Sequence, residues 1–253
     1  MESRLIQSRS ILECRELFFH FDDTQPVLDN INLRLNSGEL VVLTGPNGSG
    51  KTVLMKHLNG LLRPVRGDVF LNGRPLPRRG QEAVRAVGLV FQNPVAQFLE
   101  DTVERDVAFG PRNMQLGAAE VNARVEDALQ ATELQHLHTR DPLELSGGEQ
   151  QRLALAGVLA MQSEFVILDE PFAHLDLPGV RSVLRAVLAA RDRGVGVVVV
   201  THDLEKVLAH TDRLVVMRAG QIVIDDTPEQ ALPLVEHHLV RRPAGEISHM
   251  SWL

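Results

Sequence analysis

Gly45-Pro46-Asn47-Gly48-Ser49-Gly50-Lys51-Thr52 fits the pattern G-x-x-x-x-G-K-[ST], and it stands in the context that gives the pattern meaning, between a strand and a helix. Upstream, Glu39-Leu40-Val41-Val42-Leu43 ends in a continuous apolar run that reads as a buried strand; downstream, residues 51–62 read as a helix. The glycines let successive backbone N–H groups turn toward one anion, and the helix N-terminus adds its dipole. In such a loop Lys51 supplies charge to the β- and γ-phosphates of a nucleotide, and the Thr52 hydroxyl can ligate Mg²⁺.

Outward from this loop the chain alternates strands and helices. Residues 17–21 (Leu17-Phe18-Phe19-His20-Phe21) are apolar and aromatic, residues 22–26 form a turn, and residues 31–35 alternate as a half-buried strand does. Residues 63–80 are rich in Gly, Pro and Arg, with a short strand near 68–71. Residues 87–91, 165–168 and 195–200 read as buried strands, with shorter ones at 214–217 and 221–224. Residues from about 112 to 163 are mainly helical, notably 118–131 and 150–161, and 179–191 is a further helix. Everything beyond about Ala244 reads as a loose tail. Buried strands alternating with helices give an α/β fold with a mostly parallel sheet covered on both faces, whose ligands bind beyond the carboxyl ends of the strands.

A second motif ends such a strand: Leu168-Asp169-Glu170-Pro171. In extended chain adjacent side chains point to opposite sides, so the two carboxylates are expected to take different roles. Asp169 is the candidate Mg²⁺-side carboxylate, and Glu170 is left to orient and polarise an attacking water.

A third motif, Leu145-Ser146-Gly147-Gly148-Glu149-Gln150-Gln151-Arg152, contains a helix capping box, Ser146-x-x-Glu149. Ser146 and the free N–H groups at that helix start make an anion site. Set beside the phosphate loop, it resembles the signature motif of ATP-binding cassette (ABC) ATPases. The resemblance implies a P-loop NTPase-type ABC cassette with an N-terminal antiparallel β part and a helical signature subdomain. It also implies a function that needs two subunits, because the signature of one faces the γ-phosphate of ATP bound to the other. Ser146, Gly147, Gly148 and Glu149 would then act on the partner's ATP, together with Asp176 of the Leu175-Asp176 pair, which fits the D-loop.

The remaining family positions follow in order. Gln92, after the strand at 87–91, corresponds to the Q-loop glutamine, which senses Mg²⁺. His202, in Val200-Thr201-His202-Asp203, resembles the switch histidine that contacts the γ-phosphate. Phe21 stands where an aromatic stacks on adenine, a place usually held by Tyr, of which this chain has none. The resemblance thus implies Glu170, His202 and Lys51 as catalytic residues. Residues 45–52 (Gly45, Pro46, Asn47, Gly48, Ser49, Gly50, Lys51 and Thr52), Phe21 and Gln92 bind nucleotide, and Thr52, Gln92 and Asp169 bind Mg²⁺. The ABC domain is expected to span 10–235, with its helical subdomain at about 112–163 and a tail at 236–253.

Residues 87–94 (Val-Gly-Leu-Val-Phe-Gln-Asn-Pro), Gln97-Phe98 and residues 101–111, from Asp101 to Pro111, resemble the energy-coupling factor subgroup of cobalt, nickel and vitamin importers. That implies a peripheral motor subunit on the cytoplasmic face of a membrane, with integral membrane partners docking between Gln92 and Pro111. Two departures stand out. Val95-Ala96 replaces a polar pair before Gln97. Phe172 and His174 replace the commoner Thr and Gly after Glu170, at positions expected near the dimer interface.

Composition fits and narrows this. The chain has 253 residues and a net charge of -7, against the basic surface that phosphate-backbone contacts need, so no nucleic-acid partner is expected. One cysteine, Cys14, leaves no internal disulfide or Cys-based zinc cluster. The first ten residues lack a signal-peptide core, and no apolar run reaches the roughly 18–20 residues of a membrane span. Two rival classes are a soluble ABC ATPase acting on nucleic acid or ribosomes, and a regulatory half of a heterodimeric motor. The first usually carries coiled-coil insertions or two cassettes, and this chain has neither. The intact Glu170, His202 and signature stand against the second.

Overall fold

A computed structural model describes residues 10–22, 25–76 and 86–253. Asp23 and Thr24 of the expected turn, and residues 77–80 of the Gly/Pro/Arg-rich stretch, lie outside the described residues. Two sheets form the frame. The smaller is antiparallel, in the order β2 (Leu28–Asn36), β1 (Ile11–Phe19), β4 (Arg66–Leu71), β5 (Arg74–Pro75). The larger has six strands in the order β10 (Gln221–Asp226), β9 (Arg213–Arg218), β3 (Leu40–Thr44), β8 (Gly196–Val200), β7 (Phe165–Asp169), β6 (Val87–Val90). β9 through β6 run parallel and only β10 is antiparallel.

The parallel strands read as unbroken apolar runs because both of their faces are buried. Side chains alternate along each strand, so each one feeds two cores. Val41, Leu43, Ile167, Val198 and Val215 pack toward the small sheet and helix α1 (Lys51–Leu58). Leu40, Val42, Val166, Leu168, Val197 and Val199 pack on the other face. The helices there are α4 (Gly147–Ala160) and α5 (Leu177–Asp192).

A third core joins α2 (Val103–Asn113), α3 (Ala118–Ala131) and α4 through Val103, Val107, Val121, Val125, Leu129 and Leu153. This helical part begins at Val103, earlier than the 112 expected, because Asp106 accepts from the N–H groups of Leu99 (2.7 Å) and Glu100 (3.2 Å) and so organises the helix start. Pro111 sits in the last turn of α2, where it removes one N–H from the helix ladder shortly before the helix ends at Asn113. Conversely, α1 stops at Leu58, short of 62: Asn59 caps it and Gly60 turns left-handed at φ 78°.

The chain beyond Ala244 is not a loose tail. Met250 is buried in the main core, with Ile247 and Trp252 packed against it. Arg181 of α5 donates to the Trp252 carbonyl at 2.8 Å. Three apolar side chains supply the burial that a polar, glycine-broken sequence concealed. Among the described residues no helix is long and apolar enough to cross a membrane.

Candidate active site

The parallel strands all deliver their carboxyl ends to one edge, and the chemistry collects there. A cleft of about 570 Å³ is lined by residues 47–53, Gln92, Asp169, Glu170, His202 and Asp203. The phosphate loop leaves β3 at Gly45, whose φ of 147° and close approach to β9 leave no room for a side chain. Lys51, the first residue of α1, turns back into the loop and donates to the carbonyls of Gly45 (2.7 Å) and Pro46 (3.1 Å). Burial lowers its pKa, while the carboxylates of Glu170 and Asp169 oppose the loss of its proton.

Asp169 closes β7 and Glu170 follows it. The strand alternation that would send them to opposite sides ends here, since Glu170 has a φ of 46°. Both carboxylates therefore line the same cleft. The turn is held by a bond from the Glu170 N–H to the Val200 carbonyl (2.8 Å), and a left-handed non-glycine residue stores about 1–2 kcal/mol of strain. The Thr201 hydroxyl donates to Glu170 Oε2 at 2.9 Å, and the His202 backbone N–H donates to Oε1 at 3.1 Å. His202 Nε2 lies 3.7 Å from the same Oε1. Burial raises the Glu170 pKa, countered by the Thr201 bond and His202 and reinforced by Asp169. Burial raises Asp169 as well, against Lys51, His202 and Lys56. A carboxylate that is both fixed by two donors and pushed toward neutrality is suited to accept a proton from water.

Thr201, fully buried, is the group that the sequence did not single out as functional. Its hydroxyl also accepts from the Asp203 N–H at 3.0 Å, so it ties the His202 turn to Glu170. Gln97 plays a similar part below Gln92. It accepts from the Phe91 N–H and donates to the Leu89 carbonyl, both at 2.9 Å, and thereby shapes the turn leaving β6. A hydroxyl or amide acting through backbone bonds leaves no spacing pattern in a sequence.

Phe21 is 71% exposed and is not among the residues lining this cleft. It stands just past β1 with its ring edge-on to Phe19, 5.0 Å between centroids. The Val27 N–H, paired to the Phe19 carbonyl, brings the neighbouring strand to the cleft wall.

Ser146, Gly147, Gly148, Glu149 and Asp176 line a different cleft, of about 730 Å³, with His136, Arg152, His174 and Arg185. Here the capping box is formed: Glu149 Oε2 accepts from the Ser146 N–H (2.8 Å) and hydroxyl (2.7 Å). Burial would raise the Glu149 pKa, but those Ser146 bonds and Arg152 lower it overall. Asp176 caps α5 by accepting from the Gly179 N–H at 2.9 Å. His174 is exposed in this cleft, whereas Phe172 is fully buried in the main core. Phe172 thus presents no side chain at the surface; it fills space beneath the turn, and its carbonyl accepts from Lys206. The chain therefore carries two separate clefts, one with the phosphate loop and carboxylates, one with the signature helix.

Residues 28–173 match the family described as ABC transporter. The chain belongs to the ABC transporter family. It is 41% identical over 229 residues to the energy-coupling factor transporter ATP-binding protein EcfA of Methanocaldococcus jannaschii, covering 89% of this chain and 82% of that one. It is 42% identical over 225 residues to the cobalt import ATP-binding protein CbiO of Syntrophus aciditrophicus, covering 88% and 80%. Its fold matches cbiO1 of Clostridium perfringens, part of the CbiONQ transporter complex, with a TM-score of 0.82 at 32% identity, covering 91% of this chain and 93% of that one. This ABC protein is an ATP-binding subunit, an ATPase of the class coupled to transport, and it resembles the energy-coupling factor subgroup.

Proposed function

We propose that this chain is the motor of an energy-coupling-factor-type importer of a metal ion or vitamin, working as one of two cassettes that close on ATP. The observation that carries the reading is the separation of the two clefts. Each holds half of an anion site: a phosphate loop with carboxylates, or a capped helix start with Ser146. A second cassette, identical or not, brings its signature half to the nucleotide held here, and this chain's signature serves the partner.

The residues fit Mg²⁺. Thr52, Gln92 and Asp169 offer hydroxyl, amide and carboxylate oxygens in the cleft that holds Lys51. Among the described residues no three His, Cys, Asp or Glu side chains gather to hold a metal. That suits an ion bound by one carboxylate and the phosphates. When bound, Mg²⁺ neutralises phosphate charge. Lys51 and His202 stabilise charge on the transferring phosphoryl group, and Glu170 orients water and accepts its proton. Phe21 is the candidate adenine platform.

For the membrane partner, the favoured surface lies between Gln92 and Pro111, where Val95, Leu99 and Phe109 are exposed, with Phe91 exposed just before it. It begins at Gln92 in the phosphate cleft and ends on α2, so closure is transmitted along it. Such a subunit lies on the cytoplasmic face of the membrane, held there through its partners.

The test is Glu170→Gln protein in light scattering with and without Mg-ATP. The substitution keeps the size and shape of Glu170 and one acceptor oxygen for the His202 N–H, turns the other oxygen into a donating NH2 group, and removes the basicity. A stable ATP-dependent dimer with slowed hydrolysis is expected. Protein that binds Mg-ATP yet remains monomeric would overturn self-association and direct the search to a different cassette.

A further inference from the structure

The ladder between β7 and β8 ends at the pair Asp169–Val200, so the Glu170 turn and the His202 turn both lie past the end of the sheet. Glu170 bridges the gap at its first step, through its N–H to Val200 and through its carboxylate to Thr201 and His202. Farther out the bridge is Lys206. Its ammonium donates to the Phe172 carbonyl at 3.2 Å and to Asp203 Oδ2 at 2.8 Å. The Asp203 N–H in turn donates to the Thr201 hydroxyl at 3.0 Å, and that hydroxyl donates to Glu170 Oε2 at 2.9 Å. Phe172 leads back to Glu170 through the turn that the Ala173 N–H closes on the Glu170 carbonyl at 3.1 Å. The bonds thus form a ring from Glu170 through Thr201, Asp203, Lys206 and Phe172 to Glu170 again. Lys206 itself is anchored: it ends a short helical turn, Leu204–Lys206, and Leu204, Val207 and Phe172 are all buried in the main core. Its side chain is 16% exposed, so these two oxygens, more than water, satisfy the charge.

We propose that Lys206 is a positioning residue for hydrolysis: its ammonium ties the turn that carries Glu170 to the turn that carries His202 and so keeps the Glu170 carboxylate aimed at the attacking water. The proposal rests on the reading of Glu170 as the group that accepts the proton of that water. Lys206 is not among the residues lining the phosphate cleft, so it acts through the ring and not on the nucleotide. Without the ammonium the buried Phe172 residue loses the donor to its carbonyl, and the Asp203 carboxylate loses its cation. A buried acceptor left without a donor is costly, and the turn shifts to relieve it. A base must stand within hydrogen-bond reach of the proton it takes, so a shift of even ~1 Å slows the reaction. The phosphate loop, carried by β3 and α1, is untouched. The signature is therefore a lower kcat at an unchanged KM.

The test measures steady-state ATPase activity and single-turnover hydrolysis of the full chain carrying Lys206→Met, Lys206→Gln or Lys206→Arg, each with and without Glu170→Gln. Lys206→Met keeps the aliphatic stem and removes the donors; kcat should fall about tenfold while KM for Mg-ATP stays within about twofold. Lys206→Gln, shorter and neutral, should fall likewise, so the reading does not hang on the folding of one variant. Lys206→Arg keeps a cation with donors for both oxygens and should retain most of kcat. Groups that act as a unit are not additive. In the Glu170→Gln chain the base is already gone, so Lys206→Met should leave the residual single-turnover rate nearly as it is. An unchanged kcat in both neutral variants, a loss carried by KM, or the same fold loss with and without the Glu170 carboxylate would overturn the assignment. Glu170→Gln protein that hydrolyses ATP at the parent rate would refute the reading of Glu170, and this proposal with it. That result comes from the single variant alone, so the two failures are told apart.

Discussion

Gly45 and Gly48 lie three residues apart in the same loop and both have left-handed backbones, with φ of 147° and 78°. Their surroundings differ. A Cβ on Gly45 would fall 2.1 Å from the Met217 carbonyl oxygen of β9, a backbone atom that cannot swing aside. A Cβ on Gly48 would meet nothing within 4 Å. Gly48→Ala therefore incurs the left-handed strain alone, about 1–2 kcal/mol. Gly45→Ala adds the displacement of β9 from the loop, and overpacking of this kind costs typically ~1–3 kcal/mol more. Reversible thermal unfolding of the nucleotide-free proteins reads the difference. A chain of this size loses roughly 2–4 °C per kcal/mol, so Gly48→Ala should melt a few degrees low and Gly45→Ala clearly lower still. Equal losses for the two variants would refute the claim that contact between the loop and β9, beyond the φ angle, requires glycine at 45.

Other predictions follow from the same geometry. Met250→Ala should destabilise the protein by about 2 kcal/mol in urea unfolding, since it deletes a buried side chain from the main core; an effect within about 0.5 kcal/mol would mean the segment is not packed there. The ATPase rate at saturating Mg-ATP should fall on acidification with a midpoint above 4.5, because burial raises the Glu170 pKa and only the carboxylate accepts a proton. A rate flat to below pH 4.5 would contradict this. A raised folded pKa means that the stability linked to protonating Glu170 is present below its unfolded value and lost as pH rises through the folded one. The melting temperature of Glu170→Gln relative to the parent should accordingly climb from acid to neutral pH, and a constant difference would argue against burial as the cause.

Much of the fold was legible because its signals are local. β3, β7 and β8 are buried on both faces, so their apolar runs stand out without a partner in view. The loop at 45–52 fixes its own surroundings through glycine and lysine chemistry. What escaped depends on contacts distant in sequence. Met250 and Trp252 read as tail because their partners lie on α5 and in the main core, about seventy residues away for Arg181. The full burial of Phe172 is likewise hidden, because the sequence gives its neighbours but not its depth. Strand alternation by itself points Asp169 and Glu170 to opposite sides. The bond from the Glu170 N–H to Val200 and the left-handed φ, neither visible in the sequence, turn both into one cleft. Thr201 gained its role by lying across the sheet from Glu170, which a reading of β7 and β8 as separate strands does not reveal.

The central claim is that the phosphate cleft of one cassette is completed by the signature cleft of another. Mixing two inactive variants tests it most directly. Lys51→Ala damages the phosphate loop, and Ser146→Arg blocks the signature helix start. Each protein alone should hydrolyse almost no ATP. Mixed, they form dimers in which both lesions fall in one composite site and the other site has neither. The account predicts that the mixture recovers ATPase activity, in proportion to the mixed dimer formed. If each chain built its site from its own two motifs, every site in the mixture would carry a lesion. A mixture that forms dimers yet stays inactive at every ratio would contradict the account.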